Sequence, residues 1–587
     1  MWPTRSATRA WGGPRDERER RGNRHDERGD RDGRARHDER GRDDDRSHRG
    51  ERGRHDERAH LRDRSRSRER WPQHRRAASS ERCPPSRRSN GAPGQGRALD
   101  SAEQGAQQRS QLGHTDSVTG AMPRMSAQSG AATSASDSRP RLHSIDPKLL
   151  THKLGTSRDL PELLSWQLRH GDQFNGFHIA AFWSKFKALA RGELGGLRDR
   201  LAPVCKQTVR MLPELGARQV SNIAHAFAKA GLVGTGPWES VWEALPEAVR
   251  RSLGDSDPQA LSNTAWAFAK LRTVTPDLFD AISAEAVRRG LGGFKEQELS
   301  NTAWAFATAA HDAPELFDAI AAEAMRRGLG GFNPQQMSNT AWAFATADHA
   351  APDLFHAISA EAVRRGLGGF NAQDFSNTAW AFATAGHAAP EMFHAISAEA
   401  VRRVLRDFNA QGVANTAWAF ATAGHAAPDL FDAISAEVVR RGLGDFDPQN
   451  LSNTAWAFAT AGRADPELFD AISAEVVRQG LVDFDPQELS NTAWAFATAD
   501  HAAPELFDAI AAEAVRRGLG GFNAQGFSNT AWAFATAGHA SLELFNAISA
   551  EVVRRGLGNF NEQNLSNTAW AFATAGHASP ELFNAIS

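Results

Sequence analysis

Ladders of chemically capable side chains recur at a fixed interval of 38 residues between Asp257 and Ser587. The carboxamides of Gln259 and Asn263 return as Gln297 and Asn301, Gln335 and Asn339, Gln373 and Asn377, and Gln411 and Asn415. They continue as Gln449 and Asn453, Gln487 and Asn491, Gln525 and Asn529, and Gln563 and Asn567. Three residues beyond each Asn stands a tryptophan, from Trp266 to Trp570. A carboxamide donates and accepts hydrogen bonds and an indole offers a π-face, so each pair has the chemistry to hold a polymer of bases. Identical letters in all nine copies cannot tell one base from another. They would grip an RNA backbone uniformly, or bond the next repeat. The tryptophans likewise are stacking platforms, or large aromatic core between repeats.

One polar letter in the phrase changes. It reads Ala260, Glu298, Gln336, Asp374, Gly412, Asn450, Glu488, Gly526 and Asn564. Modular RNA readers that take one base per helical repeat use two or three such side chains, which makes this position the candidate base reader. The other reading is an exposed first-turn position that accepts anything short and polar. A basic ladder of Arg288, Arg326, Arg364, Arg402, Arg440, Arg478, Arg516 and Arg554 could track phosphates. Against this, a Glu three residues earlier has the spacing of a helix ion pair, as Glu513 has to Arg516.

Histidines recur at His311, His349, His387, His425, His501, His539 and His577. No second ligand stands near them in sequence, so a helix C-terminal dipole accounts for them better than a metal does. The two cysteines, Cys83 and Cys205, make neither a disulfide framework nor a four-ligand zinc site. No Ser-His-Asp arrangement, phosphate loop or carboxylate pair stands out, so neither catalysis nor a cofactor is expected. No apolar run approaches the about 18 residues of a membrane span, and no membrane partner is expected.

A fixed period in this range predicts stacked two-helix units, and hence an all-α fold, a right-handed α-α superhelix or solenoid. In the copy around Asn491, Asp485 is an N-cap, Pro486 the first helical residue and Glu488 the N3 partner of a capping box. Helix A then runs through LSNTAWAFATA and stops near Asp500-His501, where several copies have a C-capping glycine instead. Pro504 opens helix B and Gly518 closes it. At 100° per residue, Leu489, Ala493, Phe496 and Ala497 share one side of helix A. Gln487, Asn491, Trp494 and Thr498 form a second stripe, and helix B should bury Leu506, Phe507, Ile510 and Ala514.

The chain divides into three stretches. Residues 1–140 are a low-complexity Arg/Asp/Glu/Ser-rich arm with little to bury, expected to be disordered. Residues 141–256 carry worn copies of the unit, as in SNIAHAFAKAGL around Asn222, and suit a cap to the array. Residues 257–587 hold nine tandem repeats, the last stopping in mid helix B and so expected to be truncated. The overall charge of −2 hides +10 over 1–100, +6 over 101–220 and −18 over 221–587, a basic arm on an acidic body. The N-terminus reads neither as a secretory signal nor as an acid-poor transit peptide.

The phrase F-D-P-Q-E-L-S-N-T-A-W-A-F-A-T-A, Phe484 to Ala499, resembles the octotricopeptide repeat. The likeness covers roughly residues 160–587 and recurs in register. That family comprises organellar RNA-expression factors and is related to FAST-kinase-like, RAP-domain and chloroplast translation proteins. The resemblance implies a monomeric RNA-binding superhelix in chloroplast or mitochondrion that stabilises, processes or helps translate transcripts. Its partners would be single-stranded RNA and other proteins of a ribonucleoprotein complex, with helix A facing the RNA. Departures are the single proline opening helix B, the acidic array and the lack of a RAP domain. Two alternatives remain: a non-catalytic protein-interaction scaffold favoured by the acidic array, and a nuclear RNA-processing factor suggested by the RSRSR stretch.

Overall fold

The computed structural model describes residues 144–190, 195–273, 275–403 and 405–587. The arm expected over 1–140 lies outside them. Among the described residues there are 24 α-helices and no strand. The worn region forms three pairs: α1 (Pro147–Thr156) with α2 (Leu160–His170), α3 (Gly176–Leu189) with α4 (Arg198–Met211), and α5 (Ala217–Ala230) with α6 (Glu239–Ser252). The regular array begins with α7 (Pro258–Lys270) and α8 (Pro276–Arg289), α9 (Glu296–Thr308) and α10 (Pro314–Arg327), and α11 (Pro334–Thr346) and α12 (Pro352–Arg365). It continues with α13 (Ala372–Thr384) and α14 (Pro390–Arg402), α15 (Ala410–Thr422) and α16 (Pro428–Arg441), and α17 (Pro448–Thr460) and α18 (Pro466–Gln479). The last three pairs are α19 (Pro486–Thr498) and α20 (Pro504–Arg516), α21 (Ala524–Thr536) and α22 (Leu542–Arg555), and α23 (Glu562–Thr574) and α24 (Pro580–Ile586).

Each odd-numbered helix packs on the next odd one from α1 to α23, forming an A row. Even-numbered helices from α4 onward form a B row beside it. The A row is the more intimately packed, because its facing positions are largely alanine, as at Ala493, Ala495 and Ala497. Local signals set the boundaries. Asp485 accepts the Glu488 N–H at 2.8 Å, and the Glu488 carboxylate accepts the Asp485 N–H at 2.8 Å, a complete capping box. Beyond the A helices the chain turns through a left-handed residue. This is Gly386, Gly424, Gly462, Gly538 or Gly576 in five copies, but Ala310, Asp348 or Asp500 holds the same turn at φ 50–53° in three others.

The apolar faces follow the helical stripes. Leu489, Ala493, Phe496 and Ala497 are buried, as are Leu506, Phe507, Ile510 and Ala514. Across each junction the B-helix Phe meets the next A-helix Phe edge-on, at 4.9–5.0 Å from Phe279–Phe306 to Phe545–Phe572. Such aromatic pairs add roughly 0.5–1.5 kcal/mol beyond area burial. The turn histidine lies against this pair and also reaches back to the preceding B helix. His311 bonds Asp280 at 2.9 Å, and His349, His501 and His539 repeat the bond with Asp318, Asp470 and Asp508 at 2.8–2.9 Å. Four of the seven turn histidines, His311, His349, His501 and His539, are thus junction residues with a carboxylate partner, which the sequence reading did not foresee. Where the B helix carries His356 instead, the His387 ring meets it at 4.4 Å.

The opposite edge of each junction is closed by the second Arg of the Glu-x-x-Arg-Arg run. Arg327, at the end of α10, donates to the Phe294 carbonyl at 2.5 Å, Gly292 at 2.9 Å and Leu291 at 3.0 Å. These carbonyls belong to the linker from α8 into α9, so one guanidinium ties consecutive B helices together. Arg365, Arg403 and Arg555 repeat the clamp, and Arg289 and Arg517 bond the same carbonyls. In α18, Gln479 replaces the arginine and keeps one bond, to Phe446 at 3.0 Å.

The clamp gives a direct test. Arg517→Ala should lose about 1.5–3 kcal/mol at its junction and speed hydrogen exchange in the linker 481–484, since hydrogen bonds from charged groups carry that much. Arg516→Ala, whose side chain is 60% exposed, should change stability by less than about 1 kcal/mol. Equal effects from the two variants would dispose of the clamp.

Candidate nucleic-acid interface

Helix A is buried on nearly all sides, and the stripe left at its solvent edge is Gln, Asn, Trp and Thr. In α19 these are Gln487, Asn491, Trp494 and Thr498. Gln259, Gln297, Gln335, Gln373, Gln487 and Gln563 are exposed, while Gln411, Gln449 and Gln525 are half-buried. Asn263, Asn301, Asn339, Asn377, Asn453 and Asn567 are half-buried, and Asn415, Asn491 and Asn529 are buried. Stacked along the A row, the stripes make a trough with Gln along one margin and Thr along the other.

The tryptophans run along the middle of the trough as a continuous ladder. Successive ring centroids lie 6.3–6.5 Å apart from Trp266 to Trp570, with interplanar angles of 29–34°. His225 of α5 takes the preceding rung, 5.1 Å from Trp266. Trp380 and Trp456 are buried at 3% and 6% exposure, Trp570 is 46% exposed and the other six are half-buried. The ladder is thus partly inter-repeat packing and partly open surface.

The carboxamides do not join repeats. Among the described residues, none of the nine Asn and none of the nine Gln side chains hydrogen-bonds another protein group. The Oδ1 atoms of Asn415 and Asn491 are shut away from solvent with no partner. So are the Oγ1 atoms of Thr308, Thr346 and Thr384 on the same stripe. A buried polar atom without a partner costs roughly 1–3 kcal/mol, so groups left unmet on one stripe require another explanation. The stapling role considered for the Gln/Asn ladder passes to the second Arg that closes most B helices, whose reach across the linker carries no signal in sequence spacing.

The varying position sits elsewhere than its pattern implied. Ala260, Asp374, Gly412, Asn450 and Gly526 are buried, and Glu298, Gln336, Glu488 and Asn564 are half-buried. The exposed location read from the sequence is corrected. These N3 side chains fold back on the N-cap or lie in the seam between neighbouring A helices. Glu298, Gln336 and Asp374 accept the N-cap N–H of Lys295, Asn333 and Asn371 at 2.8–3.0 Å, as Glu488 does from Asp485. Asn564 Oδ1 accepts from Ser528 of the preceding repeat at 3.3 Å. A Cβ on Gly412 would sit 3.1 Å from Asn409 Oδ1 of its own N-cap and 3.8 Å from Ser376 of the neighbouring A helix, so a methyl crowds the cap while the seam itself accepts it. Burial pushes the Glu488 carboxyl up to about 7 and raises that of Asp374.

The arginine stripe belongs to the B row. Arg288, Arg326, Arg364, Arg402, Arg440, Arg478, Arg516 and Arg554 are 60–68% exposed along their side chains. Each is forked onto the Glu three residues earlier at 2.5–2.7 Å. These bonds hold Glu285, Glu323, Glu361, Glu399, Glu513 and Glu551 down to about 2. Each guanidinium is thus matched by a carboxylate on its own helix, away from the A-row trough.

Two measurements follow from this geometry. Trp418→Ala should cost about 2 kcal/mol, below the ~3–5 kcal/mol of a fully buried Trp, and a thermal melt reads it. An unchanged melt would remove the ladder from the packing. Glu488→Gln preserves the capping box and removes a carboxyl whose folded value stands above its ordinary 4.5. Wild-type stability should therefore fall as pH rises from about 4.5 to about 7, where the folded state must accept a charge the unfolded chain solvates freely. The variant should exceed wild type by about 1–2 kcal/mol at pH 8 and match it near pH 4.5, and urea titrations showing a constant difference would contradict this.

No curated protein matches the chain. Among solved structures it is similar to the crystal structure of an engineered protein, at 16% identity over 74% of this chain and 99% of that one, with a TM-score of 0.32. It is also similar to a homology model of the full-length AP-3 complex in an intermediate open conformation, at 10% identity over 74% of this chain and 80% of that one, with a TM-score of 0.30. A family model described as protein of unknown function DUF1601 matches residues 316–340, 360–378, 398–416 and 512–530. Each matched segment runs from a B helix through the linker into the next A helix, the stretch that carries the Glu-Arg-Arg clamp and the N3 side chain. The chain is a helical-repeat protein with DUF1601-like segments at four of its junctions.

Proposed function

We propose that the array is an RNA-binding helical-repeat protein that holds single-stranded RNA along the A-row trough, without catalysis of its own. The observation that carries this reading is a run of five unmet oxygens on one stripe, those of Thr308, Thr346, Thr384, Asn415 and Asn491, beside an evenly spaced tryptophan ladder. Unstacked bases offer hydrogen-bonding edges and π-faces together, and carboxamides with aromatic rings are the side chains that meet both. By its resemblance to the octotricopeptide repeats, the protein would act on chloroplast or mitochondrial transcripts, in their stabilisation, processing or translation. Nine identical rungs give grip. Discrimination between bases would enter through the N3 side chains only as they alter the seam on which each rung stands.

A protein-interaction scaffold is the second reading, favoured by one feature. From Asp277 to Glu581, one exposed carboxylate occupies the second position of every regular B helix, and residues 221–587 sum to −18. Such a surface suits a basic partner.

The two readings separate on Asn415→Ala combined with Asn491→Ala. Removing buried carboxamides that lack partners should leave the melting temperature unchanged or raised. Affinity for a single-stranded oligonucleotide, measured by anisotropy across a salt titration, should drop about tenfold or more. RNA affinity equal in wild type and variant at every salt concentration would sink the trough as the RNA site.

A further inference from the structure

The A row continues below Trp266 into the worn repeats, and its chemistry changes there. At the margin where α9 to α23 carry Thr308, Thr346 and their equivalents through Thr574, α5 and α7 carry Lys229 and Lys270. Lys187 of α3 joins them: its Nζ lies 3.1 Å from His225 Nδ1, and the His225 ring meets Trp266 edge-on at 5.1 Å. Lys187 is half-buried and Lys229 exposed. Neither forms an ion pair with a carboxylate among the described residues. Burial pushes the His225 imidazole down to about 4, with Lys187 and Lys229 adding to it, so at neutral pH the ring is uncharged and its Nδ1 accepts from the Lys187 ammonium. Burial also lowers Lys187, with Lys229 repelling it. A desolvated ammonium oriented by a neutral imidazole, beside a second cation and without a counter-charge among the described residues, is the composition of an anion site.

We propose that Lys187, Lys229 and His225 form a phosphate-binding site at the first rung of the trough, holding one phosphate group of a single strand that enters the ladder at Trp266. Lys187 spends one N–H on His225 and keeps two for phosphate oxygens. Lys229 supplies a second ammonium from the solvent side. Beyond Lys270 the Gln, Asn, Trp and Thr stripe of the trough is uncharged, so this site fixes the entry of the strand while the rungs accept the remainder. This inference rests on the RNA reading for the identity of the strand, but the phosphate chemistry stands apart from it.

Amine acylation of the full-length wild-type protein, read by mass spectrometry, tests the site without folding ambiguity. Residues 1–140 contain Arg but no Lys, so the arm's side chains do not obscure the result. Saturating inorganic pyrophosphate should slow acylation of Lys187 and Lys229 by about tenfold, as expected when charge-assisted hydrogen bonds occupy both, and leave Lys148 and Lys295 unchanged. Equal rates with and without pyrophosphate would overturn the proposal. A second arm uses an oligouridylate with Lys187→Met combined with Lys229→Met. The slope of log affinity against log salt should fall by about 0.7 for the one phosphate released. An unchanged slope, with RNA still bound, places the strand elsewhere and also overturns the proposal. Absence of RNA binding by wild type, with pyrophosphate protection intact, overturns the RNA reading alone and leaves a site for a free phosphate compound.

Discussion

Everything in this molecule depends on the junction between one repeat and the next, because a two-helix unit cannot bury both of its faces alone. The junction is closed at two edges by different chemistry. On the turn side, a Phe–Phe contact is covered by a histidine that reaches back to an aspartate, as in Phe279, Phe306, His311 and Asp280. On the linker side, an arginine such as Arg327 bonds carbonyls of the linker that follows the preceding B helix. Glu323 sits between Arg326 and Arg327, and only the second of the pair points inward. The run Glu-x-x-Arg-Arg therefore splits one charge pattern into a solvated ion pair and a structural clamp.

With the units joined through the B row and the linkers, the A row is free to be narrow. Alanine at the facing positions lets the A helices interlock closely, and the Trp rings follow at 6.3–6.5 Å. Close stacking hides the N3 side chains and leaves a single stripe of each helix at the surface. It also shuts the oxygens of Asn415 and Asn491 away from water without giving them a partner. An apolar residue at either of these two positions would relieve that cost, so the carboxamides of Asn415 and Asn491 work against stability, as the proposed binding role would require.

The helices, their caps and their buried faces were legible in the sequence because each depends on residues within one unit. Asp485, Pro486 and Glu488 announce the start of α19, and Gly518 closes α20 with φ +72°. What could not be read depends on where a side chain lands in another unit. Arg516 and Arg517 are adjacent and identical in type, yet one is 60% exposed and the other 23%. Only the position of the linker carbonyls, 33 to 36 residues earlier in the chain, distinguishes them. The N3 position misled for the related reason that variety resembles exposure. Ala260, Gly412 and Asp374 differ because the seam tolerates several short shapes, while the reach of Glu298 and Gln336 is absorbed by the N-cap.

Charge resolves the apparent conflict between an acidic array and a polyanionic ligand. Net charge alone would discourage RNA, yet its distribution matters more than its sum. The exposed carboxylates open the B helices, and the exposed arginines that close those helices are matched by their own glutamates. The regular A-row stripe carries no acid along its Gln, Asn, Trp and Thr ladders. Cations without carboxylate partners among the described residues appear on this row at Lys187 and Lys229, next to the first rung. A strand lying in the trough would thus meet attraction at one end and neutrality along the rungs, while the like-charged groups face away on the other row. Under that arrangement stacking and carboxamide bonds carry the affinity along the array, and electrostatics contributes chiefly where the strand begins to engage.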